Sequence, residues 1–402
     1  MIDEELIEKC ENELSAEYKT LEKIALINQE KVLNAFKKNK VALRHFYGTS
    51  GYGYGDDGRD TLNRLFADIF NAEAAICSPS FVSGTHAISS CLYGVLRPND
   101  TFLSISGDVY DTLDEVISGK GSGSLADFGI KFYSVALKDG DFDINAIKEK
   151  ISELNPKMVY IQRSRGYQWR DALSICQIEN VVNFLREIGF YGCIMMDNCY
   201  GEFTDIKEPI EVGVNLAAGS LIKNPGGGIA PTGGYVVGDK KYVNLVQNRL
   251  TAPSIGGEVG SYLYGYQYFY QGLFLAPHVV VQSLKGAMLF CKVLNEKGYK
   301  VSPEPNVIPH DIITMVEFGE KEKLIDFIQN IQNNSPIDSN VKLMPWDMPG
   351  YEDPVIMAAG CFVQGSSIEL SADAPVKPPF IAYLQGGITY EHCKIALKNL
   401  DI

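Results

Sequence analysis

Residues 192–223 read GCIMMDNCYGEFTDIKEPIEVGVNLAAGSLIK. The apolar run GCIMMD (192–197) has the length of a strand buried on both faces, and it ends on an acid, Asp197. A second short run, GSLIK (219–223), ends on Lys223, just ahead of the flexible Asn224-Pro225-Gly226-Gly227-Gly228. Two buried strands with charged residues at their C-terminal tips are what an open parallel sheet offers a ligand.

Outward from this pair the pattern repeats. Short apolar strands are expected at AAICSPS (74–80), TFLSIS (101–106), IKFYSVAL (130–137), MVYIQ (158–162) and GGYVVG (233–238), with helices over 84–95, 143–153 and 175–189. This alternation predicts an α/β fold: a mostly parallel central sheet with helices on both faces. Upstream, Leu6, Leu14, Leu21, Ile24, Ile27, Val32 and Phe36 recur at helical spacing among Glu and Lys over residues 3–38. They predict an amphipathic arm that packs on the body or on a second subunit. The glycine-rich GTSGYGYGDDG (48–58) precedes a helix from about Asp60, with Asp60 as its N-cap. A helical stretch over 258–296 leads into a smaller α+β domain. The chain divides into an N-terminal helical arm (1–50), a large α/β domain (51–265) and a connecting helix with a small C-terminal domain (266–402).

Composition sets outer bounds. A chain of 402 residues exceeds one compact core of ordinary size. Thirty-six Lys+Arg against 50 Asp+Glu give a net charge of −14, which argues against a nucleic-acid surface. No apolar run approaches the ~20 residues that span a bilayer, so no membrane contact is expected. The acidic start MIDEELIEKC lacks the features of a secretory signal. Nine scattered cysteines without a C-x-x-C pair read as reduced thiols and point to the cytoplasm. The five histidines are dispersed too, so no metal site is expected.

Three features could carry chemistry. Ser83-Gly84-Thr85-His86 follows the first strand and opens a helix, where backbone N–H groups bind anions; an ordinary N-cap is the plain alternative. Asp197 either caps a turn, binds a cation or pairs with a protonated heterocyclic nitrogen. Lys223, backed by apolar residues, is expected to be partly desolvated, with a lowered pKa and a nucleophilic amine; a solvated surface lysine is the alternative. The set is more specific than its parts. An anion-binding turn, an acid and a lysine on successive strand ends are what pyridoxal 5'-phosphate needs, for its phosphate, its pyridine nitrogen and its aldehyde.

The sequence resembles the fold-type I pyridoxal phosphate (PLP) enzymes, and within them the methionine gamma-lyase / cystathionine beta-lyase-like group known as aluminium-resistance proteins. The resemblance runs over nearly the whole chain. It is carried by YGYGDDGRDTLNRLFADIF (52–70), SPSFVSGTHAIS (78–89), GDVYDTLDEVISG (107–119), QRSRGYQWR (162–170), MMDNCYGEF (195–203), SLIKNPGGGIAPTGGY (220–235) and PPFIAYLQGGITYEH (378–392).

The resemblance implies roles. Lys223 carries the cofactor as a Schiff base and moves the Cα proton. Asp197 holds the pyridinium proton. Ser83, Gly84 and Thr85 form the phosphate turn, and Ser220 adds a hydroxyl. Tyr110 stacks on the ring and protonates a leaving sulfur; a half-buried core tyrosine is its alternative. Tyr54 and Arg59 reach the phosphate of a neighbouring subunit, in a homodimer or homotetramer with shared active sites. Arg59 could instead pair with Asp56 or Asp57. One departure concerns the substrate. Many fold-type I enzymes clamp the substrate carboxylate with a small-domain arginine, and IAYLQGGITYEH (381–392) contains none. Arg165, then Arg163, are the replacement candidates. The asparagine that usually contacts the cofactor's 3-hydroxyl is also missing.

The expected activity is PLP-dependent carbon–sulfur lysis of a sulfur amino acid by β- or γ-elimination. Other readings stay open: a PLP-dependent aldolase or aminotransferase, a PLP-binding stress-response protein with little turnover, or a nucleotide-binding α/β protein that leaves Lys223 unexplained.

Overall fold

The structure, a computed structural model, describes residues 1–348 and 351–402. In chain order the helices are α1 (Glu4–Glu13), α2 (Ser15–Lys38), α3 (Asp57–Ile69), α4 (Gly84–Val95), α5 (Asp111–Ser118), α6 (Ile144–Leu154), α7 (Ile175–Glu187), α8 (Lys240–Leu250), α9 (Gln267–Glu296), α10 (Lys321–Asn333) and α11 (Tyr390–Lys398). The strands are β1 (Ala74–Ser78), β2 (Thr101–Ser104), β3 (Lys131–Ser134), β4 (Leu137–Lys138), β5 (Asp141–Phe142), β6 (Met158–Gln162), β7 (Cys193–Asp197), β8 (Leu216–Ser220), β9 (Gly234–Gly238), β10 (Lys300–Ser302), β11 (Ile313–Glu317), β12 (Val355–Ala358), β13 (Ser371–Pro375) and β14 (Ile381–Gln385).

Seven strands form the large sheet in the order β1-β9-β8-β7-β6-β2-β3. All pairings are parallel except those of β9, which runs against both β1 and β8. Every residue of β6, β7, β8 and β9 is buried, which is why these segments are apolar throughout rather than alternating. Amphipathic helices supply the covering layers. On α7, Ile175, Ile178, Val181, Val182 and Leu185 face inward, and a reciprocal Ser174–Gln177 capping box fixes its start. The carboxyl ends of β2, β6, β7 and β8 share one edge, where ligands bind in sheets of this kind. Beyond α9, an antiparallel sheet in the order β10-β11-β14-β13-β12 faces that edge.

Several boundaries differ from expectation. The arm is two helices, broken at Leu14. Helix α3 starts earlier than Asp60, because Asp56 is the N-cap and its carboxylate accepts the Arg59 N–H at 2.9 Å. The 130–137 run is shorter, ending as β3 at Ser134 before a β4–β5 hairpin. Strand β8 begins and ends earlier than the 219–223 reading, so Lys223 lies in a turn three residues past the strand rather than on it. Helix α9 begins at Gln267, not near 258. By length and apolarity α9 passes the test for a membrane span, contrary to the sequence reading, but 72% of its most apolar window is buried inside the protein. It packs along α2 and β11 as a core helix.

Candidate active site

A cavity of about 1050 Å³ lies between the carboxyl edge of the large sheet and the facing surface of the small sheet. Asp197, Lys223, Tyr110 and Ser220 line it from the first side, Asp373, Tyr383 and Gln385 from the second.

The anion turn is built as its residue types suggest. Ser83 has extended backbone and its hydroxyl accepts the His86 N–H at 3.0 Å, capping α4. The Gly84 and Thr85 N–H groups, at the first turn of the helix, have no intrahelical acceptor and stand at the cavity. A Cβ on Gly84 would meet Ser220 Cβ at 3.2 Å and Cys199 Sγ at 3.3 Å, so a larger residue would crowd that cradle. The Thr85 hydroxyl is 3.0 Å from the Tyr110 hydroxyl. His86 is structural: its Nδ1 accepts the Val82 N–H at 3.2 Å.

Asp197 ends β7 buried, and one carboxylate oxygen accepts the Cys199 N–H at 3.0 Å. Burial raises its pKa from the ordinary aspartate value, while Lys223 opposes that rise. Tyr160 stands nearby on β6, and its buried hydroxyl faces the Asp197 carboxylate. Tyr200, in left-handed backbone at φ 71°, lays its ring under Lys223, with Nζ 3.9 Å from the ring centroid. The Tyr200 hydroxyl donates to Ser367 Oγ at 3.1 Å, which holds the ring in place.

The lysine corrects an expectation. Burial does act to lower its pKa, but Cys199, Tyr200 and Asp197 outweigh burial and raise it above the ordinary lysine value. Its amine is therefore a held cation in the cofactor-free chain, positioned by an aromatic face and an acid. Burial likewise raises the Tyr110 phenol, with Asp197 adding to the effect, so that it keeps its proton at neutral pH.

Neither candidate arginine is a free clamp. Arg163 is fully buried and does not line the cavity. Its guanidinium donates to Leu173 O, Asn198 Oδ1, Gly201 O, Thr204 Oγ1 and Asp205 Oδ2, at 2.6–3.2 Å. A Cβ on Gly201 would sit 2.5 Å from Arg163 Cδ, so the glycine makes room for the arginine. Arg165 does reach the cavity wall, but its Nε and Nη2 grip Asp311 at 3.2 and 3.3 Å, and Nη1 donates to Ser302 at 3.0 Å. Both Arg165 and Asp311 are 0% exposed, so the pair ties the segment after β6 to the segment before β11.

Tyr54 and Arg59 lie outside the cavity of their own chain. Tyr54 is 69% exposed. Arg59 pairs with Asp60 at 2.9 Å, not with Asp56 or Asp57, and also donates to Gly53 O and Gly260 O.

Sequence reading missed several cavity residues, four of which stand close to the groups above. Gln162 ends β6, where its Oε1 accepts the Tyr110 N–H at 3.2 Å and its Nε2 donates to Ser164 O. The strand-end rule that singled out Asp197 applies to it equally. Cys199 and Tyr200 follow Asp197 in the same turn. Asp373, on β13, had no signal in a segment that reads as an ordinary strand.

The comparisons agree with this geometry. The family model described as methionine gamma-lyase matches residues 3–401. An uncharacterised protein, YnbB, of Bacillus subtilis (strain 168) is 48% identical over 401 residues, covering 98% of this chain and 95% of that protein. The crystal structure of a carbon–sulfur lyase involved in aluminium resistance from Clostridium novyi NT superposes with a TM-score of 0.95 at 47% identity, covering 98% of this chain and 94% of that one. A more distant likeness, to the pyridoxal-5'-phosphate-dependent protein YhfS of Escherichia coli (TM-score 0.64, 19% identity, 93% and 94% covered), shows the shared fold. The cofactor is pyridoxal 5'-phosphate, and the open cradle at Gly84, the buried Asp197 and the enclosed Lys223 fit its three ends. A match across almost the whole chain, on a fold-type I scaffold, means that this protein belongs to the methionine gamma-lyase family.

Proposed function

We propose that the protein is a PLP-dependent carbon–sulfur lyase that removes a sulfur group from Cβ or Cγ of an amino acid. The observation that carries this reading is the convergence of Lys223, Asp197 and the α4 N-terminus on one cavity. Bound PLP supplies an electron sink that makes a Cα proton removable.

The chain's residues do the rest. Lys223 would be the covalent attachment point, and its Nζ, when free, would take the Cα proton. Asp197 keeps a proton on the ring nitrogen, which a buried carboxylate does strongly because no water competes. As the carbon–sulfur bond breaks, its electron pair leaves with sulfur, and Tyr110 delivers a proton there. The phenol is suited to this as an acid, since burial keeps it protonated. The sulfur group leaves as a thiol, and the unsaturated amine that remains is hydrolysed by one water to ammonia and a 2-oxo acid. Gly84 and Thr85 N–H groups with the Ser220 hydroxyl anchor the phosphate.

The reading includes self-association. Tyr47, Tyr52, Tyr54 and Tyr264 are exposed between 69% and 86%, a large apolar area for a free surface. Arg59 Nη2 has no protein acceptor among the described residues. Both features suit a homodimer, or a tetramer of such dimers, in which Tyr54 and Arg59 serve the neighbour's phosphate site. All nine thiols are unpaired, in keeping with a reducing cytoplasm.

The test is an absorption spectrum of the purified protein followed by assay of thiol release from S-alkyl cysteines, cystathionine and methionine. A band near roughly 420 nm that borohydride removes, with thiol and 2-oxo acid formed in equal amounts, is expected. Amino-group transfer without thiol would replace this reading with an aminotransferase.

A further inference from the structure

The substrate side of the cavity has an unusual charge pattern. Four cationic side chains line the cavity, and three are already paired: Arg165 with Asp311 at 3.2 Å, Lys300 with Glu317 at 2.9 Å and Lys377 with Asp353 at 2.8 Å. The fourth, Lys223, belongs to the cofactor. Among the described residues on this wall, no cation of the chain is left for a substrate carboxylate. The acids are less fully matched. Asp373 stands on β13 directly opposite Tyr383 of β14, within the small-sheet region where the expected arginine is missing. An ionised carboxylate has about four acceptor sites. Gln385 Nε2 donates to Asp373 Oδ2 at 3.3 Å, the Tyr167 phenol beside it also favours the charged form, and Oδ1 has no partner within hydrogen-bond distance.

We propose that Asp373 is a specificity-determining residue that receives an ammonium group on the sulfur-bound fragment of the substrate, so that the preferred substrates are sulfur amino acids whose leaving thiol carries its own amine. This rests on the lyase reading above. The α-amino group is committed to the cofactor, so the cation facing Asp373 belongs to the other end of the molecule. The charge pairing explains the choice of group. A carboxylate brought to Asp373 meets a like charge with no spare cation, whereas an ammonium meets an under-bonded acceptor in a partly dry site. A methyl or propyl group at that position leaves the carboxylate desolvated and unpaired.

The groups around Asp373 fix the pH dependence. Lys223 faces it from the turn after β8, Tyr200 from the turn after β7, Tyr167 from the segment after β6, Tyr351 from the segment before β12, and Tyr383 and Gln385 from β14. Burial is the largest influence and pushes the carboxyl up to about 7. Recognition of an ammonium therefore strengthens as pH rises from about 6 to 8 and the proton leaves.

Two probes of almost equal shape test this on the cofactor-loaded protein: S-(2-aminoethyl)-L-cysteine and S-propyl-L-cysteine. Their dissociation constants are read from changes in the cofactor's absorption spectrum, and thiol release is followed in parallel. The aminoethyl probe is expected to bind at least about tenfold tighter, with the margin narrowing at pH 6. In Asp373→Asn, with the cofactor band retained, the two should bind within about threefold of each other. Equal binding of both probes to the unaltered protein, or preference for the propyl probe, overturns the proposal while leaving the lyase reading intact if thiol is released. That comparison needs no variant, so it stands even if Asp373→Asn fails to fold. A preference that survives in a folded Asp373→Asn also overturns the proposal. Spectral binding of neither probe, with no thiol released, removes the lyase reading and this inference with it.

Discussion

Along the carboxyl edge of the large sheet, three polar features at the cavity suit the cofactor under the proposed reading: a helix start for phosphate, a buried acid for the ring nitrogen, a lysine for the carbonyl. Across the cavity the small sheet presents Asp373, Tyr383 and Gln385, and the chain's cations there are tied up in ion pairs. The contrast separates two kinds of constraint. Cofactor chemistry is shared by every substrate, so its wall is fixed by the coenzyme's own shape and charge. The opposite wall meets only the substrate, and here it has become acidic where a carboxylate clamp would need a cation.

The sharpest challenge to the first wall is Lys223→Ala. It should abolish the borohydride-sensitive band and lower thiol release by about 10⁴-fold or more, measured as kcat on the reconstituted protein. Next is Asp197→Asn, which should keep the covalent attachment yet lose about 10²–10³-fold in kcat, because an amide cannot hold the ring proton. Normal turnover in that variant would remove Asp197 from its assigned role.

Arg165→Met separates the two walls. If Arg165 serves the ion pair with Asp311, its loss strands a fully buried acid and costs about 3–5 kcal/mol in denaturant unfolding. A stable variant with only a raised KM would instead make Arg165 the clamp after all.

The smallest effect concerns pH and the acids behind the cofactor wall. Glu202 is buried, accepts the Tyr235 hydroxyl at 2.8 Å through Oε1, and leaves Oε2 unpartnered. Burial pushes its carboxyl up to about 8, and that of Glu208 up to about 7. A carboxyl whose pKa is higher folded than unfolded binds more protons in the native state. Its contribution is therefore fully present below about pH 4 and is lost as pH rises through about 7–8. The Tm of the cofactor-free protein should fall over that interval by several degrees. Glu202→Gln, which keeps a neutral side chain of the same shape, should flatten the decline.

Much of this was legible in the linear chain, for a definite reason. Strands β6 and β7 and helix α4 could be read from short fully apolar runs and a helix start, because burial on both sides leaves little freedom in residue type. Asp197 and Lys223 followed from strand ends, although β8 stops at Ser220 and the lysine reaches the cavity from a turn. The direction of the Lys223 shift was misread because apolar neighbours in sequence say nothing about Cys199, Tyr200 and Asp197, which close on it only in space. Arg163 and Arg165 looked like clamps for the same reason: their partners Asp205 and Asp311 lie far along the chain.

The order of residues alone determined the scaffold and the coenzyme and singled out the two groups proposed to grip it, since these depend on local pattern and on a ligand whose chemistry is known. Which side chains pair, which acid is left short of partners and what the second wall selects were settled only by folding. Charge balance in a cavity is a sum over segments distant in sequence, and no single segment carries it.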